Sequence, residues 1–182
     1  AAHSIPLIVS HPGTVESGQR SSLYVSNTDL FATILGYVGI EVQNEPQTPL
    51  PSRSLAPLLK GESLVDWGED EVFSEQEETR VIRTPQWVYF KRFRGETQYK
   101  LTDELYDVDA DPGETKNLVN DPEHEEIGKM LAAKIDAFFA VNADPRADLW
   151  NGGRPLQNTK PRWLWIDAWG EDWAPVYCYE QS

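Results

Sequence analysis

The sequence predicts a mixed α/β chain. It reads as one buried strand and an amphipathic helix, then a small antiparallel sheet of about four strands packed by a C-terminal helix. Three observations carry this. Ile5-Pro6-Leu7-Ile8-Val9 is an unbroken apolar run, the pattern of a strand buried on both faces as in a parallel sheet. Between Val72 and Leu101, short β-favouring segments alternate with polar or Gly-containing turns. After Asp121, large apolar residues recur at helical spacing.

The first strand stops at His11-Pro12-Gly13, and its sheet neighbours are expected upstream of Ala1. Ser26-Asn27-Thr28-Asp29 opens a helix, with Ser26 as cap and Asp29 three positions on. Leu30, Phe31, Ile34, Leu35 and Val38 form an apolar stripe expected to cover one face of the strand, and Gly39 ends the helix. Residues 41–53 form a Pro-rich loop. Four strands are then expected at Val72–Glu75, Arg80–Arg83, Trp87–Phe93 and Tyr99–Leu101. A helix over 122–141 turns Ile127, Met130, Leu131, Ile135, Phe138 and Phe139 to one side. Asp121 caps it, and Pro122 at its first position gives up a donor that has no partner there.

Between sheet and helix lies Glu104-Leu105-Tyr106-Asp107-Val108-Asp109-Ala110-Asp111-Pro112-Gly113, which reads as extended chain broken by a tight acidic turn. Gly113 is expected to supply the positive φ. Asp107, Asp109 and Asp111 alternate as in a calcium loop. Pro112, however, stands where that loop needs Gly, and Leu118 where it needs a bidentate Glu. The turn therefore reads as structural.

Composition removes several functions. A formal charge of −14 over 182 residues argues against a nucleic-acid partner. No apolar run reaches the length of a membrane span. One cysteine, Cys178, excludes an internal disulfide. His3, His11 and His124 lack metal-ligand spacing. The start Ala1-Ala2-His3-Ser4 has neither Met nor signal peptide, so the chain is expected to be cut from something longer.

The stretch ELYDVDADPGETKNLVNDPEH resembles the C-terminal signature of type I sulfatases, formylglycine-dependent members of the alkaline phosphatase superfamily. IPLIVSHPG resembles the last major strand of their catalytic sheet, the helix from Ser26 resembles the one that follows, and Ser54–Gly61 resembles their "S-L-x-P-L-L-x-G" segment. Ala143–Gly153 is similar to the ending of some bacterial sulfatases.

The resemblance implies three parts: residues 1–65 closing an alkaline-phosphatase-like α/β domain, 66–143 an antiparallel-sheet subdomain, and 144–182 a tail wrapping on the body. That tail holds five of the seven Trp, read either as packed aromatic faces or as a sugar-stacking strip. The parent would hydrolyse a sulfate ester, on a small molecule or a saccharide. Its formylglycine and its Ca²⁺ or similar ion would lie upstream, along with the catalytic Lys and His. No catalytic or metal residue is thus expected in this chain.

Pro51-Ser52-Arg53 imitates part of the formylglycine motif, but Pro49 stands where its Cys or Ser must be. His3, entering the strand from the active-site edge, is the candidate substrate contact; a strand-end His bonded to backbone is the alternative. The partner implied is the upstream catalytic portion of the same protein, and the location implied is periplasmic or extracellular. Two rivals stay open: a phosphonate or phosphodiester hydrolase of the same superfamily, and a self-standing carbohydrate-binding module.

Overall fold

The computed structural model describes residues 5–40, 50–64, 67–76, 79–93, 102–144 and 148–151. In chain order its elements are helices α1 (Asp29–Tyr37) and α2 (Ala56–Leu59), then strands β1 (Val72–Gln76), β2 (Thr79–Arg83), β3 (Trp87–Arg92) and β4 (Glu104–Asp107). A 3-10 turn (Pro122–His124), α3 (Glu125–Asn142) and a second 3-10 turn (Leu149–Asn151) complete the order.

The strands form one antiparallel meander in the order β1-β2-β3-β4. Register aligns Phe73 with Ile82, Ile82 with Tyr89 and Tyr89 with Leu105. Strand side chains alternate between faces, so this row lies on one face. It meets Leu131, Ile135 and Phe139 of α3 to form the main core, and Leu118 joins them. The opposite face carries a smaller cluster of Val81, Val88 and Val108, bordered by Phe90 and Tyr106. Each large side chain buried here contributes about 1.5–3 kcal/mol before entropy.

The meander was expected, but its fourth strand lies later than predicted. Glu104–Asp107 pairs with β3, whereas Tyr99–Leu101 lies outside the described residues. The outer edge of β4 is closed by its own continuation. Asn117 Oδ1 accepts from Leu105 N at 3.0 Å, and Leu118 N donates to Leu105 O at 2.8 Å. An open edge would invite pairing with another chain.

Asp121 caps as expected, its Oδ1 accepting from Glu123 N at 3.0 Å. The predicted helix divides into the 3-10 turn and α3, and Met130 faces outward at 49% exposure rather than into the core.

Two expectations at the start of the chain are corrected. Residues 5–9 form no strand and lie exposed, Ile8 at 86%. The four-stranded sheet does not include them, so their backbone lacks a strand to pair with among the described residues. The stripe on α1 is also turned outward: Phe31, Ile34 and Val38 are exposed, while Asp29, Ala32 and Thr33 are buried. The buried face is small and polar because residues 52–56 run close against it. A Cβ added at Gly36 would stand 2.9 Å from Ser54 Oγ. Gly39 ends α1 as predicted, at φ +82°.

Candidate functional site

In the acidic turn, Asp107 Oδ1 accepts from the backbone N–H of Asp109 and of Ala110, each at 3.0 Å. Its Oδ2 takes the Gln86 side-chain amide at 3.0 Å. Asp111 accepts from Thr115 N at 2.7 Å and Lys116 N at 2.8 Å. Two of the three alternating carboxylates therefore hold the turn itself together, which is the structural role the sequence suggested. The positive φ falls on Glu114, at 53°, and not on Gly113. Glu114 leaves the turn to meet Arg83 at 2.9 Å. Among the described residues no group of three or more His, Cys, Asp or Glu side chains is arranged to hold a metal. The divalent ion implied by the resemblance has no ligand set among them.

Backbone donors depress three carboxyl pKa values below the usual range: Ala110 N–H first for Asp107, Lys116 N–H for Asp111, and Glu123 N–H for Asp121. A depressed folded pKa gives stability that is complete above the unfolded value, about 3.9 for Asp, and lost as pH falls through the folded value. The urea midpoint should therefore hold down to about pH 4 and fall below it. Asp111→Asn should flatten that fall; an unchanged acid limb would show that the turn does not sense protonation.

A second constellation gathers around Asp29, whose side chain is 1% exposed. Its carboxylate accepts from Ser26 N at 2.9 Å, Arg53 N at 2.8 Å and Arg53 Nη2 at 2.9 Å. The Arg53 guanidinium lies 4.1 Å from the centre of the Trp67 ring. Ser52 Oγ donates to Thr28 O at 2.6 Å and accepts from Ala32 N at 3.0 Å. Thr33 Oγ1 donates to Asp29 O at 2.6 Å and accepts from Leu55 N at 2.9 Å. The Pro51-Ser52-Arg53 segment thus fastens α1 to the following loop. The Ser26 and Asp29 pair signalled the helix start, but the N-cap is Thr28, without a side-chain cap bond, rather than Ser26. Nothing local in the sequence announced Arg53 as the partner.

Of the histidines, His11 Nδ1 lies 2.5 Å from the Tyr37 hydroxyl. His124 meets Trp87 edge-on and has Nδ1 3.2 Å from Asp121 Oδ2. Neither ring bonds a Ser, Thr or Cys among the described residues. His3, Cys178 and the tail beyond Asn151 lie outside the described residues.

What the described surface does offer is apolar area. Ile5, Leu7, Ile8 and Val9 are exposed before the His11–Tyr37 bond, and Phe31, Ile34, Val38 and Ile40 along and after α1. Large apolar patches of this kind mark interaction surfaces.

The model of the N-sulphoglucosamine sulphohydrolase C-terminal family matches residues 1–140. A Δ4,5-hexuronate-2-O-sulfatase from Bacteroides thetaiotaomicron is 30% identical over 171 residues, covering 84% of this chain and 34% of that protein. An N-acetylglucosamine-6-O-sulfatase from the same organism is 28% identical over 167 residues, covering 86% of this chain and 29% of that protein. A solved structure in complex with its substrate D-glucosamine-2-N,6-O-disulfate superposes with a TM-score of 0.55. It is 23% identical and covers 71% of this chain and 27% of that one, a likeness of fold alone. The chain spans about a third of the length of the curated relatives it matches.

Proposed function

The chain belongs to the N-sulphoglucosamine sulphohydrolase C-terminal family, and on that premise we propose that it is the C-terminal part of a sulfatase hydrolysing a sulfate ester of a saccharide. The names of the two curated relatives, a 2-O- and a 6-O-sulfatase, support the substrate class. The observation that carries the reading is the exposed apolar surface of residues 5–9 and α1. An apolar segment and a helix stripe left in water are what remains when a scaffold is viewed without the body it packs on.

On this reading the formylglycine nucleophile and a divalent ion, calcium or similar, are held by sequence outside these 182 residues. When bound, the ion polarises a sulfate oxygen. The described residues supply support: the Asp29–Arg53 anchor holds α1, and the α3-packed sheet braces the subdomain. His3, which lies outside the described residues, stays the candidate substrate contact on this reading.

The test joins this chain to its upstream sequence. The joined protein should release sulfate from O-sulfated uronate or N-acetylglucosamine, while the isolated chain should turn over no aryl sulfate with or without Ca²⁺. Metal-dependent turnover by the isolated chain would refute the reading. So would a joined protein that prefers phosphodiesters or phosphonates.

A further inference from the structure

Arg80 of β2 is nearly enclosed, at 3% exposure. Two residues from Ile82, it shares the α3 side of the sheet, with its guanidinium 4.1 Å from the centre of the Phe139 ring. Its Nε donates to Glu75 at 2.6 Å and its Nη2 to Asp148 at 2.7 Å. Trp150 closes over the guanidinium at 4.9 Å and meets Phe93 edge-on at 5.4 Å.

Asp148 is itself 4% exposed. Besides Arg80, its carboxylate accepts from Trp150 N at 2.9 Å and from the Asn151 side-chain amide, and Asn151 N donates to Asp148 O at 3.3 Å. Residues 148–151 are therefore a turn wound on one carboxylate, and that carboxylate is fastened to β2. Asp148 and Glu75 also line a cleft of about 520 Å³ between β1, residues 25–28 and the end of α3.

We propose that residues 148–151 are a strap, locked to β2 through Arg80 and Asp148, which walls one side of this cleft and opens as a local unit while the sheet stays folded. Lifting the strap leaves Arg80 buried against Glu75 alone, and a buried charge that loses a partner is strongly disfavoured, so the strap is held shut. Lifting it breaks the Arg80 bond and the Trp150 packing but no strand pairing, so opening need not involve the sheet.

Native-state hydrogen exchange on the 182-residue chain tests this, because the Trp150 and Asn151 amides both bond to Asp148. Their exchange should depend weakly on added urea, and that of β2 and β3 steeply. Asp148→Asn should speed the two strap amides on the order of a hundredfold and leave the strands unchanged. A strap whose exchange tracks the sheet at every urea concentration overturns the proposal. So does a substitution that accelerates both together, or neither. If Asp148→Asn does not fold, the urea dependence of the unmodified chain decides alone.

Discussion

Ile135→Ala should cost the sheet–helix unit about 3–4 kcal/mol. Ile135 is wholly buried on α3, in the cluster that holds Ile82, Tyr89 and Leu105 of three successive strands. Removing its branches takes away the transfer energy of the lost groups and leaves a cavity that packed strands cannot close. Against a typical domain stability of about 5–15 kcal/mol this is a large fraction. Met130→Ala is the control: it lies on the same helix at 49% exposure and should move stability by no more than about 0.5 kcal/mol. Urea denaturation followed by far-ultraviolet circular dichroism measures both. Equal losses would mean that α3 does not pack on the sheet through Ile135.

Asp29→Ala should loosen the N-terminal part of the chain by about 3 kcal/mol. The change strands the backbone N–H groups of Ser26 and Arg53 and leaves the guanidinium over Trp67 without its carboxylate. Asp29→Asn keeps the shape and one acceptor oxygen, so it should lose roughly half as much. Hydrogen exchange should report faster opening of residues 26–33 and 52–56. Unchanged protection there would show that Ser52 and Thr33 hold α1 without the ion pair.

Asp121, Pro122 and Gly39 marked helix ends because a cap, a missing donor and a positive φ are requirements of single positions. The acidic turn was legible for the same reason, apart from the left-handed residue, which proved to be Glu114. The stripe on α1 misled. An apolar stripe states that a surface wants cover, not that the cover belongs to the same stretch of chain.

By itself the sequence determined local matters: three β1–β3 strand segments close to where they form, the α3 face carrying Leu131 and Ile135, the turn that its own aspartates close, and the motifs that point to the family. Only the tertiary structure decided that Asp29 is buried with Arg53, 24 residues on, and Arg80 with Asp148, 68 residues on. It also decided that α1 turns its small polar face inward. The reason is physical. Hydrogen-bond and helix periodicity act between near neighbours, whereas desolvating a charge depends on which distant groups the fold brings within about 3 Å of it.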